Sequence, residues 1–544
     1  MNEIRALTAA ATPGNTRRKQ RAHAGRALLA GMVATLLSGC MVGPNYQRPN
    51  LTLPQTWRTP AGEATSVVNT TWWQSFQDPD LDALIKQSID ANKDLLQATE
   101  RVKEFEAKLN IAGADSYPQL NYDISAERRH FSTERPVALG IPNTPTQNAF
   151  EIGTGATWEL DIWGKVRRAN EAALADLLSS EYARHAVMLT VVNNVATSYF
   201  QLLALDHQLA LAKDTLKSRN ESLQLLTTRY KGGSSSKLAV LQAQSAVDEV
   251  WVAIPDLERQ IATLEDALSL LVGRNPGAII RHQDEEPALP PVPGGVPSDV
   301  LARRPDVLQA EQNLIAANAR IGVAKAAFFP SISLTGLLGL ASNDLESLNT
   351  RDATDASIGV GVLGPIFSGG RLSGQVHEAE AYQRELLIKY QQAVQTALGN
   401  VEDALVFNAK AAESSQRGEK QVEVLRDLLH LAQVRYDGGE SDYLEVLTAE
   451  RDLYKAESEQ VDRHRDSYLA LISVYAAMGG GWMVEQDKLR GAANPESPPA
   501  AHAQNVNAPV SDASKTKPAA PAKPQGATQP EASPAPKNSQ GHSQ

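Results

Sequence analysis

From about Lys165 to Tyr230 the chain contains neither glycine nor proline. The later part of this run carries an apolar seam at Leu202, Leu205, Leu209, Ala212, Leu216, Leu223, Leu226 and Tyr230, with Arg219 at the one skipped position. A mean step near 3.5 residues is the signature of coiled-coil packing. At 1.5 Å per residue, one continuous helix here would be about 100 Å long. Gly232-Gly233 then interrupts the pattern, and helical periodicity resumes behind it. The same design returns at Val422, Leu425, Leu429, Ala432 and Tyr436, followed by Gly438-Gly439. The spacing predicts two long helical hairpins, each turning at a glycine pair. An ordinary helical bundle would not need helices of this length.

Other segments alternate at period two. In 120–130, Leu120, Tyr122, Ile124 and Ala126 interleave with Asn121, Asp123, Ser125, Glu127 and Arg129. In 150–162, Phe150, Ile152, Ala156, Trp158, Leu160 and Ile162 share one parity with Thr154, opposite Glu151, Gly153, Gly155, Thr157, Glu159 and Asp161. Ile332, Leu334, Leu338 and Leu340, then Ile358, Val360 and Val362, repeat the alternation. Such strands place one face toward lipid and the other toward water, as in a membrane barrel; amphipathic loops or a soluble sheet are the alternatives. Four strands cannot close a barrel, because about eight is the smallest common size. Several copies must therefore share one.

The two halves echo each other. Thr228-Arg229-Tyr230-Lys231-Gly232-Gly233 matches Val434-Arg435-Tyr436-Asp437-Gly438-Gly439 at an offset of 206, and Ile162-Trp163-Gly164 loosely matches Ile366-Phe367-Ser368 at 204. Tyr117-Pro118 and Phe329-Pro330 mark equivalent helix-to-strand entries. One long unit thus occurs twice. The expected organisation is a signal peptide at 1–39, a lipidated extended segment at 40–79 and a first repeat at 80–273. A Pro/Gly-rich linker at 274–297, a second repeat at 298–485 and a disordered Pro/Ala/Ser-rich tail at 486–544 follow.

The signal peptide rests on Arg17, Arg18, Lys19, Arg21 and Arg26, then the apolar run Ala27–Leu37, then Leu37-Ser38-Gly39-Cys40. The run is too short for a permanent span. Cys40 is the only cysteine of the 544 residues, so no internal disulfide can form. Its place directly after small residues is the bacterial lipobox pattern, which makes Cys40 the lipidated N-terminus; a plain signal peptide with a chance cysteine is the alternative. Residues 1–39 carry six basic and one acidic residue, leaving 46 basic and 62 acidic, a formal charge of −16. That balance argues against a nucleic-acid partner. Residues 40–544 hold no stretch near 18 consecutive apolar residues, so any membrane crossing must be made by strands.

Six sequence words in order resemble the TolC/OprM superfamily of outer-membrane efflux ducts, in its NodT-type lipoprotein branch: Cys40-Met41-Val42-Gly43-Pro44-Asn45-Tyr46, Trp72-Trp73-Gln74-Ser75-Phe76, Asp161-Ile162-Trp163-Gly164-Lys165-Val166-Arg167-Arg168, Leu301-Ala302-Arg303-Arg304-Pro305-Asp306-Val307, Pro365-Ile366-Phe367-Ser368-Gly369-Gly370-Arg371, and Tyr443-Leu444-Glu445-Val446-Leu447. The resemblance implies an α+β membrane protein. Periplasmic helical hairpins would form a tunnel, and four transmembrane strands per chain would form a shared twelve-stranded barrel in a homotrimer. It also implies outer-membrane lipid around the barrel, a periplasmic adaptor (membrane fusion) protein and an inner-membrane pump of the resistance-nodulation-division type as partners. No cofactor and no chemistry are implied; small molecules would leave passively through the duct.

By the same resemblance, Glu445 lies on the narrowing wall of the periplasmic aperture. Thr448 stands where relatives often carry Asp, and Asp442 lies just before. A ring of three Glu445 carboxylates would attract cations; the alternative is a solvated helix face. Arg435, Tyr436, Arg229 and Tyr230 are candidates for a latch at the hairpin turns, although the seam also suits Tyr436 to core packing.

Enzyme motifs lack context. Gly359-Val360-Gly361-Val362-Leu363-Gly364 satisfies G-x-G-x-x-G with Glu385 about 20 residues on, but its glycines fall within an alternating segment and Glu385 within a helical one. Gly164-Lys165 is followed by Val166, not Ser or Thr. The ten histidines form no H-E-x-x-H, and one cysteine supports no thiolate metal cluster. A protein-secretion duct, a lipid-anchored coiled-coil scaffold and a periplasmic enzyme remain as rival classes.

Overall fold

The computed structural model describes residues 41–59, 71–130, 146–281, 287, 289–292, 297 and 302–480. The signal segment, Cys40 and the C-terminal tail lie outside the described residues. A 3-10 turn at Trp72–Phe76 precedes α1 (Pro79–Ala91) and α2 (Lys93–Ala114). Then come β1 (Gln119–His130), β2 (Thr146–Leu160), α3 (Lys165–Lys231) and α4 (Lys237–Leu271). The second half runs α5 (Pro305–Ala326), β3 (Ser331–Ser342), β4 (Thr354–Leu363), α6 (Arg371–Asp437) and α7 (Tyr443–Ala477).

The duplication is close in length. Helices α3 and α6 both have 67 residues, and α4 and α7 both have 35. Helices α2 and α5 both have 22, and β1 and β3 both have 12. From Lys165 and Arg371 onward the offset is 206 residues; from Lys93 and Pro305 through β1 and β3 it is 212. The sequence echo at 204 needs correction. Gly164 and Gly370, both with positive φ, cap α3 and α6 at an offset of 206, so Trp163 corresponds to Gly369 and not to Phe367. Similar residue types had drawn the two words out of register.

The long helices form as their composition dictates. Helices α3 and α6 run unbroken until Gly232 and Gly438, where the backbone N–H groups of Gly233 and Gly439 donate to Tyr230 and Tyr436 carbonyls at 2.9 and 3.0 Å. Gly233 and Gly439 adopt φ of 77° and 78°, a region costly for residues with a Cβ. Helix α3 is the only helix among the described residues long and apolar enough to cross a membrane. Its Met188, Val191, Val192, Val195 and Ala196 are instead buried in the largest core, with Trp72, Phe76, Leu405 and Tyr475. Helix α3 packs against α4, α5, α2 and α7, while α6 packs against α7 and α5. The four hairpin helices therefore lie side by side as α4–α3–α7–α6.

The strands form one antiparallel meander, β1-β2-β3-β4. Leu120 faces Ala156, Ile152 faces Leu340, and Leu334 faces Val360. Strand β2 begins at Thr146, four residues before its alternation becomes legible, because Thr146–Ala149 is polar or small on both faces. Leu120, Tyr122, Ile124, Ile358, Val360 and Val362 are all exposed. A sheet with apolar side chains outward is a lipid-facing arrangement.

Candidate functional site

Two ends of the molecule carry the predicted chemistry. At the strand end, the segment after Cys40 is pinned to the foot of the sheet. Trp163 closes β2, stacks on Phe329 at 4.7 Å and donates from Nε1 to the Pro330 carbonyl at 2.7 Å. The Val42 N–H donates to the Trp163 carbonyl at 3.1 Å. Gly43, at φ 101°, lies so close to Gly322 that a Cβ would approach its Cα to 2.5 Å. Arg168, 1% exposed, completes the clamp. Its guanidinium donates to the Val42 and Gly43 carbonyls, to Asn45 Oδ1 at 2.7 Å and to Glu171 at 2.7 Å. Asn318 donates to the Pro44 carbonyl, and Arg48 pairs with Glu311 at 2.8 Å. Cys40 itself is outside the described residues, but its neighbour Met41 lies against Gly164, at the junction of β2 and α3. Sequence periodicity does not reveal the role of Arg168, because the strap it holds is irregular.

At the opposite end, the two glycine turns share a small core of Leu226, Ala239, Ala243, Ala432, Tyr443, Val446 and Leu447. Tyr436 packs partly into it and meets Tyr443 edge-on at 5.6 Å; burial pushes the Tyr443 hydroxyl up to about 12. The candidate latch residues divide. The Arg229 guanidinium sits 5.6 Å from the Tyr436 ring and 3.4 Å from Asp437, joining the first hairpin to the second. Arg435 instead donates to Glu445 at 2.5 Å, within the second hairpin. Tyr230 is left exposed. Asp442, which precedes α7 as its cap, and Glu445 and Thr448 within α7 lie on one exposed strip, about one turn apart. The Thr448 hydroxyl donates to the Leu444 carbonyl, so it does not extend the acidic row.

The skipped seam position proves informative. Arg219 is 3% exposed and donates to the Ala246 carbonyl at 2.7 Å and to Glu249 at 3.2 Å. It also lies 5.5 Å from the Tyr454 ring of α7. Burial raises the pKa of Glu450, beside it on α7, and the Arg219 charge offsets only part of that shift. The interruption in the heptad was the sequence signal; the partners on α4 and α7 were not readable.

At the waist, Arg281 from the inter-repeat linker reaches Asp206 and Glu265, both largely buried. Phe200 stacks on Tyr468 at 4.4 Å, and Trp72 stacks on Tyr475. Arg304 pairs with Asp306 and donates to the Ala477 carbonyl at the end of α7. Among the described residues no three His, Cys, Asp or Glu side chains converge on a point a metal could occupy. Gly359 and Gly361 lie inside β4 and Glu385 inside α6, which is not the turn-and-helix geometry of a dinucleotide site.

The family model for outer membrane efflux proteins matches residues 84–274 and 296–480. Cation efflux system protein CusC of Escherichia coli is 34% identical over 461 residues, covering 84% of this chain and 99% of its own. The toluene efflux pump outer membrane protein TtgI of Pseudomonas putida is 32% identical, covering 83% and 97%. The solved outer-membrane channel OprN superposes with a TM-score of 0.76 at 27% identity, covering 81% of this chain and all of that one.

Proposed function

The chain belongs to the outer membrane efflux protein family, and from that premise we propose that three copies of it assemble into one continuous exit duct. The protein is an outer-membrane efflux channel with a strand domain in the membrane and helices reaching into the periplasm. Each chain supplies four strands to a twelve-stranded barrel, and the hairpins form the shaft beneath.

The observation that carries this reading is the sheet with two open edges. Among the described residues, strands β1 and β4 each pair on one side only, and their apolar side chains are exposed. Unpaired strand edges cannot be left in lipid, so they must meet other strands. The helices are left open in the same way. Leu447 of α7 is 3% exposed beneath its neighbours, whereas its counterpart one repeat earlier, Leu241 of α4, is 56% exposed. A second copy's α6, with exposed Val424, Leu428, Leu431 and Val434, is the matching apolar edge.

Cys40 carries the lipid anchor, and Arg168 holds the strap that follows it, Val42–Asn45, at the foot of the sheet. The tips close the duct: Arg229, Tyr436 and Asp437 latch one hairpin to the other, and Glu445 and Asp442 line the aperture. A periplasmic adaptor and a resistance-nodulation-division pump dock below and supply the gradient. The chain performs no catalysis. The cargo is a small molecule or ion, the range named for CusC and TtgI. Single-channel recording in planar bilayers tests this. Discrete conductance from purified protein is expected, widened by substitution at the tips. Purified trimers that never conduct, even after Glu445→Ala, would refute it.

A further inference from the structure

The chain contains one complete seam between its two repeats, and that seam specifies the one it lacks. Strand β2 ends the first repeat's pair and β3 begins the second's, with Leu160 facing Ile332, Ala156 facing Gly336 and Thr154 facing Leu338. The strand pairs inside the two repeats also correspond. Gln119 faces Thr157 in the first, and Ser331 faces Leu363 in the second. Strand β1 thus maps onto β3 at 212 residues, and β2 onto β4 at 206, the offset that the hairpins keep independently.

We propose that β4 of one subunit pairs with β1 of the partner subunit in the register copied from the β2–β3 seam: Val362 opposite Ile124 of the partner subunit, Val360 opposite Ala126 of the partner subunit, and Gly364 opposite Tyr122 of the partner subunit. This rests on the shared-barrel reading above and deepens it to residue level. Strand directions agree. In an antiparallel meander of four, β4 runs opposite to β1, so the new pair is antiparallel like the other three. The parity also agrees. Val360 and Val362 are exposed apolar residues, as are Leu120, Tyr122 and Ile124, and the transferred register sets these two faces on one side. A one-residue slip would turn one set into the lumen. A two-residue slip would keep this parity, and it is the β2–β3 seam that selects against it; Gly364, opposite Tyr122 of the partner subunit, lies one residue past the end of β4.

Disulfide trapping tests it, because Cys40 is the only native cysteine. Directly opposed strand residues fall within disulfide range, and diagonal ones lie at about 7–8 Å, outside it. The full chain, in native outer membranes, receives Val362→Cys with Ile124→Cys. Companion variants pair Val362→Cys with Tyr122→Cys or with Ala126→Cys. An intrachain control pairs Ala156→Cys with Gly336→Cys, where a Cβ has ordinary space. The first pair is expected to give covalent multimers on a non-reducing gel at roughly 10-fold the yield of either slipped pair. Greater yield from a slipped pair would overturn the copied register while leaving the shared barrel intact. No interchain product from any pair, with the control oxidised, would overturn the copied register, whereas a monomer by native mass spectrometry, and not this result, would overturn the shared barrel.

Discussion

Arg229→Ala should open the periplasmic tips. In each chain it removes an ion pair to Asp437 at 3.4 Å and the contact of a cation with the Tyr436 ring at 5.6 Å. Both charges are substantially exposed, Arg229 at 36% and Asp437 at 67%, so solvent screens the pair. An exposed ion pair and an exposed cation–π contact together contribute about 1 kcal/mol per chain. If three chains open together, the bias lost is about 3 kcal/mol, a shift of roughly 100-fold in the open-to-closed ratio. Single-channel recording in 0.1 M KCl of the parent, Arg229→Ala, Asp437→Ala and the double variant reads this directly. The two single variants should each raise the open fraction, and the double variant should fall short of their combined effect, since either substitution breaks the same pair. The difference from the parent should shrink in 1 M salt, where the Debye length falls to about 3 Å. Equal open fractions in all four proteins at low salt would refute the latch. Strict additivity would show that Arg229 and Asp437 act separately.

Other consequences are as specific. Arg168→Ala leaves the Val42 and Gly43 carbonyls without their donor and should cost about 2–4 kcal/mol; faster chymotryptic cleavage after Tyr46 and a lower unfolding midpoint are the readouts, and no change in either would contradict the clamp. Because burial raises the Glu450 pKa, the folded chain binds more protons than the unfolded one just above the ordinary carboxylate range, and stability falls as pH rises through that window. Glu450→Gln should therefore unfold at a higher temperature than the parent at pH 7, with the gap closing as pH drops below about 4.5; a less stable variant at pH 7 would mean that attraction to Arg219 outweighs desolvation. Mass spectrometry of the mature N-terminal peptide should find acyl chains on Cys40, and an unmodified thiol would refute the anchor.

The parts of this molecule legible in sequence are those governed by local periodicity. The absence of Gly and Pro over Lys165–Tyr230 was enough to predict α3, and the glycine pairs were enough to place both hairpin turns. Alternation locates all four strands but misses Thr146–Ala149 of β2 and Thr354–Ser357 of β4, where neither face is consistently apolar. Contacts between distant segments left no such trace. Arg219 showed only as a gap in a heptad, and the carboxylate and ring beside it on α7 lie far along the chain. The Met41–Asn45 strap is irregular, so nothing along the chain announced Arg168 and Gly322 as its dock. At the tips, residue types suggested a latch, but only the geometry divided Arg229, which bridges the hairpins, from Arg435, which ties Glu445 within one.

Native mass spectrometry of the full-length protein extracted into lipid nanodiscs tests the shared barrel most directly. Two open sheet edges call for further copies, and at four strands per chain the proposed twelve-stranded barrel predicts an assembly of three. A stable monomer, or any closed assembly of a different number, would contradict it.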